Sequence, residues 1–369
     1  MATTTVASMA TEVYNQTESV DDERVHLHWL DYVILAVILL LTLFTGILFR
    51  FLDRKKKSQN DFLFGGKQMS FFPIATSLFM SGAANVAVLR NPLEVYHYGI
   101  VYWLSCASCL VAAPIIAHVF AALFHLMELS TSFQFLEIRF GPILRQLCSV
   151  VYGIITLIHS AASLHITGVA ISQVTVTPVW LAILILGVVG LSYTSLGGLK
   201  AVVWGHLFQC VILLCSLVTL LILATVAQGG AQNVWNIARE AGKLDILASI
   251  SPNPLARSTL WTYLLGGFFW YTCTYSYEQF AIQRYTALKS VGHVIGAVYT
   301  VVPLVLVFTS LYSLLGLVMF AFYQGCDPLA EGIIDNKNLL LPLMAAKVTE
   351  SYPGLMGLFV AGISSASIG

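Results

Sequence analysis

Long stretches of this chain carry no formal charge, and this constrains its fold more than any other feature. No Asp, Glu, Lys or Arg occurs in residues 146–199, 201–238 or 290–326. A helix that crosses a bilayer needs about 20 apolar residues, whereas a helix of a soluble protein must present one polar face to water. The sequence therefore predicts an all-α membrane protein that crosses the lipid bilayer several times.

The composition argues against several other classes of protein. Charged residues make up 10% of the chain and the net charge is zero, so no basic surface for nucleic acid is expected. No acid/base pair or group of metal ligands converges at a readable spacing, which argues against an enzyme and against a bound metal or organic cofactor. Cys106 and Cys109 have the spacing of a metal or redox pair. Because they lie in an apolar run, we interpret them as small packing residues.

Nine apolar segments are long enough to be membrane spans. They cover residues 30–51, 69–90, 98–126, 143–174, 178–196, 201–227, 258–277, 291–323 and 353–369. We therefore expect residues 1–29 to form a polar N-terminal tail and residues 30–369 to form one transmembrane domain. The loop at 228–257 has an amphiphilic pattern that predicts a short helix outside the membrane.

The distribution of Lys and Arg predicts the orientation of the chain, because cytoplasmic loops carry an excess of these residues. With the N-terminus outside, inner segments hold eleven of the 18 Lys and Arg residues and outer segments hold six, with Arg90 at the end of a span. The cluster Arg54–Lys57 directly follows the first span. Asn15-Gln16-Thr17 is a glycosylation sequon that an extracellular tail would expose. We expect an extracellular N-terminus with Asn15 as a glycosylation site.

The second span contains small and polar residues where its neighbours contain large apolar ones. Gly82, flanked by Ser81 and Ala83, weakens a helix, and a broken helix in lipid leaves peptide carbonyls that need partners. A sodium ion is such a partner, and secondary transporters build their ion and substrate sites at interrupted helices near the membrane midplane. Close helix packing through small residues is the alternative interpretation.

Two further features allow two interpretations each. Arg90 is a charge at the end of an apolar run: it either extends to the membrane interface or attracts an anion.

The last span contains Ser364, Ser365 and Ser367. Their hydroxyls either supply oxygens to a cation or bond back to carbonyls of their own helix.

Several motifs resemble the sodium:solute symporter family, in the order in which that family has them. They are Gly65-Gly66-Lys67-Gln68-Met69-Ser70, Pro92-Leu93-Glu94-Val95-Tyr96, Ser195-Leu196-Gly197-Gly198-Leu199-Lys200-Ala201-Val202-Val203-Trp204, Gln283-Arg284-Tyr285 and Ala361-Gly362-Ile363. The resemblance covers residues 32–369. Within the family the chain is most similar to the branch that carries monocarboxylates, multivitamins and iodide.

The resemblance implies a LeuT-type fold, with one leading helix before two inverted repeats of five helices. It also implies that the chain is incomplete at its C-terminus: it would end within the eighth core helix, without the last two core helices. Sodium, the coupling ion, lies between the first and eighth core helices in this family. The implied sodium ligands are the backbone carbonyls of Met80, Ala83 and Ala366. The implied substrate-cavity residues are Asn85, Ala87, Arg90 and Tyr275.

The chain also departs from the family at positions related to sodium. The two hydroxyl ligands of the family fall at Gly369 and at a position beyond it. Arg90 replaces a glycine, and Gly205-His206 replaces a Thr-Asp pair, so an acidic group linked to sodium coupling is absent.

The leading hypothesis is sodium-coupled uptake of a small anion, such as a monocarboxylate, a vitamin or iodide, across the plasma membrane. One alternative is a sensor or binding protein that uses the same scaffold without transport. The other is an inactive piece of a longer transporter.

Overall fold

The computed structural model describes residues 27–52, 59–84, 87–246, 257–325, 328–329, 331–332, 334 and 336–368, and every regular element in these ranges is helical. In chain order the α-helices are α1 (Trp29–Leu52), α2 (Gln59–Phe64), α3 (Phe71–Phe79), α4 (Ala87–Tyr98), α5 (Ser105–Ile115), α6 (Ala122–Leu126), α7 (Ser132–Phe140), α8 (Pro142–Val174), α9 (Val179–Ala227), α10 (Ala231–Glu240), α11 (Gly267–Ser276), α12 (Gln279–Thr286), α13 (Val291–Phe322), α14 (Leu340–Thr349) and α15 (Leu355–Ile368). Wider π turns lie at Met80–Ala84, Ile116–Ala121 and Thr262–Gly266.

Five helical stretches in the described ranges are long and apolar enough to cross a membrane, and a sixth is obtained when α3 and α4 are counted as one bent span. The bounds of Trp29–Leu52, Ile100–Leu126, Pro142–Val174 and Val291–Phe322 agree with predicted spans within a few residues, but the bent pair continues to Tyr98, beyond the predicted end at residue 90. The predicted spans 258–277 and 353–369 contain the shorter helices α11 and α15. Helix α9 is 49 residues long. At 1.5 Å per residue it would extend about 74 Å, more than twice the hydrocarbon thickness of about 30 Å.

Helix α9 is therefore divided, and the division lies at Gly198. This residue has φ +60°, a conformation that side chains with a Cβ rarely adopt, and an added Cβ would lie 2.7 Å from the carbonyl oxygen of Phe62. The two halves of α9 correspond to the predicted fifth and sixth spans. The Gly197-Gly198 pair in the sequence thus marks the turn between two helices.

The outer surface of the bundle is apolar, as a lipid-facing surface must be. Along α8, large side chains such as Ile143, Leu147, Val150, Ile154 and Leu157 are exposed. Soluble monomers rarely expose a continuous apolar surface of this size. Helix α9 lies centrally and packs against α1, α3, α8, α13 and α15.

Close contact between α1 and α15 depends on a glycine. The Gly357 N–H donates to Asp31 Oδ1 at 2.7 Å, and a Cβ at Gly357 would clash with the backbone of Asp31. We expect Gly357→Ala to lower the free energy of unfolding by about 3 kcal/mol, because two helix backbones must separate. The change would be measured as a lower midpoint of thermal unfolding in detergent.

The matched control for this prediction is Gly153 on α8, where an added Cβ would meet no atom within 4 Å. Gly153→Ala should raise stability by up to about 1 kcal/mol, because alanine favours helix. Equal effects of the two substitutions would contradict the close packing of α1 on α15.

Candidate functional site

The second span is interrupted at the place that the sequence predicts. Helix α3 ends at Phe79, the π turn Met80–Ala84 follows, and α4 begins at Ala87. The two arms are bent by 60° relative to each other. A π turn widens the helix, and such turns are frequent at functional sites. The turn contacts α15, so the interrupted helix and the last helix of the chain meet here.

Two of the residues predicted to bind sodium, Met80 and Ala83, belong to this turn, and the third, Ala366, belongs to α15. Met80 is fully buried, and its N–H donates to the carbonyls of Thr76 and Ser77. Ala83 contributes backbone to the turn, and Ala366 is fully buried on α15. Ser364 Oγ donates to the Val360 carbonyl at 2.7 Å, so this serine bonds back to its own helix.

The predicted substrate residue Tyr275 lies directly against the break. A Cβ added to Gly82 would be 2.9 Å from three atoms of the Tyr275 phenol, including its hydroxyl oxygen. Only glycine therefore allows the ring to approach the turn this closely. The Tyr275 hydroxyl is buried, and no described residue forms a hydrogen bond with it. Tyr275 also lines a cavity of about 10 Å³, together with Cys109, Ala113, Ile116, Tyr285 and three valines of α13.

Two of the other predicted substrate residues, Ala87 and Arg90, lie on α4. Ala87 is half-buried at the start of α4, and Arg90 is exposed one turn later. Asn85 and the sequon residue Asn15 lie outside the described residues.

The surroundings of Cys106 and Cys109 agree with their interpretation as small packing residues. Cys106 and Cys109 are buried free thiols, and Cys106 Sγ donates to the Trp103 carbonyl at 2.9 Å. Among the described residues, no group of three His, Cys, Asp or Glu side chains is arranged to hold a metal ion.

A polar cluster in the interior of the bundle surrounds Arg284, which is only 3% exposed. Its Nε donates to Ser77 Oγ at 2.7 Å, one Nη donates to Ser81 Oγ at 2.8 Å, and the other donates to the Phe280 carbonyl at 2.8 Å. Arg284 thus ties α12 to the last turn of α3 and to the π turn. This role of Arg284 was not predicted from the sequence, although an arginine close to apolar segments was a signal for it.

His206 of α9 completes this cluster. Its Nδ1 lies 2.9 Å from Ser77 Oγ and 3.5 Å from a guanidinium nitrogen of Arg284. Within the part of the chain that the structure describes, the other ring nitrogen, Nε2, has no hydrogen-bond partner, and neither has the side-chain amide of Gln209 one turn further along α9. Both side chains are fully buried.

Hydrogen bonds tie the helices together near the start of the bent pair α3–α4. Lys67 Nζ donates to Glu128 at 2.7 Å, and this bond lowers the pKa of the Glu128 carboxyl group. The Met69 N–H donates to the Ala287 carbonyl, and Thr286 Oγ1 donates to the Leu129 carbonyl. We call this set the Lys67 contacts.

A second set of bonds lies near the far end of the same bent pair. Glu94 accepts hydrogen bonds from Arg257, Ser258 and Tyr263, each at 3.2 Å. We call this set the Glu94 contacts. The break, Tyr275 and Arg284 therefore lie between two groups of polar contacts that join different helices.

Comparison with known proteins agrees with this architecture. The model of the family described as "Sodium:solute symporter family" matches residues 62–368. The chain is 33% identical over 333 residues to sodium-coupled monocarboxylate transporter 2 of Danio rerio, covering 90% of this chain and 53% of the relative. A putative sodium-dependent multivitamin transporter of Drosophila melanogaster is 30% identical over 338 residues, which cover 92% of this chain and 56% of the relative.

The chain therefore spans about half the length of the curated relatives it matches. A solved structure of a Na⁺-coupled sialic acid symporter in a substrate-bound, outward-open state superposes with a TM-score of 0.84 at 20% identity, covering 92% of this chain and 71% of that one. This likeness confirms the predicted LeuT-type fold. With most of its length matched by the family model, this chain belongs to the sodium:solute symporter family.

Proposed function

We propose that this protein is a sodium-coupled symporter that moves a small anion across the plasma membrane, with its N-terminus outside and Asn15 glycosylated. The observation that carries the proposal is the contact between the π turn Met80–Ala84 and α15. In an interrupted helix, carbonyls that have lost their intrahelical partners need another donor or a cation. The carbonyls of Met80, Ala83 and Ala366 would supply this ligand set for sodium.

Sodium at this place would join α15 to the bent pair α3–α4. The ion would stabilise the arrangement in which the π turn and α15 are close together. Because Gly82 of this turn contacts Tyr275, sodium binding would be coupled to the position of Tyr275. Alternating access requires the path to open at one end at a time. In this protein the Lys67 contacts would dissociate when one end of the path opens, and the Glu94 contacts would dissociate when the other end opens.

The proposed solute is a small anion, and a monocarboxylate is the first choice. Arg90 is an exposed cation on α4, and no described carboxylate lies within ion-pair distance of it. The unpartnered Tyr275 hydroxyl offers a hydrogen-bond donor beside the break. Relatives named as monocarboxylate and multivitamin transporters support the same class of solute.

Tyr275→Phe tests the proposed role of the hydroxyl in substrate binding. Because this group has no hydrogen-bond partner among the described residues, we expect no loss of thermal stability. If the hydroxyl donates to the carboxylate of the solute, KM for uptake should rise about tenfold, which corresponds to one hydrogen bond to a charged group. An unchanged KM would remove Tyr275 from the substrate site.

The proposed function is tested by uptake into proteoliposomes that contain the purified chain. Labelled lactate, nicotinate, biotin and iodide would be offered in turn, with an inward sodium gradient or with choline in its place. We expect accumulation of one of these anions only when sodium is present. Absence of sodium-dependent uptake of all four would overturn the proposal.

A second candidate function, a sensor that binds its solute without transport, is favoured by one observation. His206 lies beside Arg284 at a position where an acidic group linked to sodium coupling would be expected. Saturable binding of a labelled anion to the purified chain, together with no uptake, would establish this alternative.

A further inference from the structure

Arg284 carries a positive charge that no described side chain neutralises. All of its hydrogen-bond acceptors are neutral: two serine hydroxyls, one peptide carbonyl and one imidazole nitrogen. None of the ion pairs among the described residues involves it. A buried charge without a counter-charge is strongly unfavourable. A counter-ion close to Arg284 would therefore stabilise the protein.

The hydrogen-bond pattern shows which groups remain free to bind such a counter-ion. Arg284 Nε donates to Ser77 Oγ, so the serine hydrogen is free to bond to His206 Nδ1. A second N–H of Arg284 also faces Nδ1 at 3.5 Å. Nδ1 is thus the acceptor, and the ring hydrogen of the neutral imidazole lies on Nε2. This buried N–H donor has no acceptor.

Gln209 supplies a second free donor on the same face of α9. It follows His206 by three positions, so the two side chains are neighbours on the helix surface. Both are 0% exposed. The Gln209 side-chain nitrogen and oxygen are both without partners. Leaving a buried polar group unpaired is unfavourable, so two neighbouring donors without partners among the described residues point to a ligand that binds both.

We propose that a small inorganic anion of the halide class binds beside His206 Nε2 and Gln209, within the field of Arg284. An anion satisfies both donors and neutralises the guanidinium, whereas a cation would meet two N–H donors and a positive charge. The cluster is fully buried, and this favours a compact ion over an organic solute. This anion site is separate from the proposed sodium ligands and does not depend on transport.

The test uses the purified full chain at constant sodium and constant ionic strength, with gluconate replaced stepwise by chloride. We expect the midpoint of thermal unfolding to rise by about 2 °C with saturation, because a ligand that binds only the native state stabilises it. Bromide should act like chloride. No difference between chloride and gluconate, or stabilisation by lactate alone, would overturn the proposal.

Two variants make this test specific to the site. His206→Asp places a carboxylate beside Arg284, so the variant should no longer respond to chloride, whereas His293→Asp, at the start of α13 and outside the cluster, should respond like the natural chain. Gln209→Leu keeps the size of the side chain but removes the donor, and should raise the half-maximal chloride concentration about tenfold. A full chloride response in either His206→Asp or Gln209→Leu would contradict this location of the anion.

Discussion

Replacing Ala366 with leucine is expected to abolish sodium-dependent uptake. Ala366 has no exposed surface, and its helix α15 contacts the π turn Met80–Ala84. Leucine adds three carbon atoms to a packed position, which forces a shift of the backbone. Since the proposed ligands are carbonyls on both sides of this contact, such a shift would separate them and destroy the ion site. Uptake of the labelled anion with and without sodium measures the effect.

The matched control for this prediction lies on the same helix. Ala361 is also fully buried, but it packs in a small cluster with Ile38 of α1 and Ile212 of α9. Ala361→Leu should lower the free energy of unfolding by about 1–3 kcal/mol, as Ala366→Leu does, because both overpack the interior. Uptake by Ala361→Leu should still depend on sodium. If both variants lost uptake equally, the effect would be one of folding. If Ala366→Leu retained full sodium dependence, α15 would not contribute a ligand.

The second large effect is expected for Arg284→Met. The guanidinium joins α12 to Ser77 of α3 and to Ser81 of the π turn. Methionine fills similar space but leaves those hydroxyls and the Phe280 carbonyl without their donor. A buried polar group that loses its hydrogen-bond partner costs about 1–3 kcal/mol, and this substitution affects three acceptors at once. We expect a strongly lowered midpoint of thermal unfolding, measured in detergent.

Arg145→Met provides the comparison for the same type of substitution. Arg145 pairs with Glu137 where both side chains are more than a third exposed. Exposed ion pairs contribute at most about 1 kcal/mol, so this variant should unfold close to the natural midpoint. A similarly small effect for Arg284→Met would show that the cluster around it contributes little to stability.

Much of the fold follows from the sequence because lipid imposes a simple rule on it. Uncharged runs of sufficient length must be helices, so the bounds of α1, α8 and α13 were predictable within a few residues. The interruption at residues 80–84 was predictable for a related reason. Small residues with a central Gly82 replace the large apolar ones that continue a membrane helix, and the structure has a π turn and a 60° bend there.

The polar interior could not be predicted in the same way, because it joins residues that are distant in sequence. Ser77 and Arg284 are 207 positions apart, and Ser77 and His206 are 129 apart. The charge of Arg284 was visible in the sequence, but nothing there indicated that its acceptors would all be neutral. The contact of Tyr275 with Gly82 likewise depends on how α11 packs against the break.

The proposed sodium site joins the interrupted helix to α15. It is tested by binding of radioactive sodium to the purified chain, with unlabelled sodium or potassium as competitor. We expect saturable binding that sodium displaces and potassium does not, and that disappears in Ala366→Leu but persists in Ala361→Leu. If the natural chain is folded and shows no saturable binding, the interrupted helix and α15 do not form a sodium site.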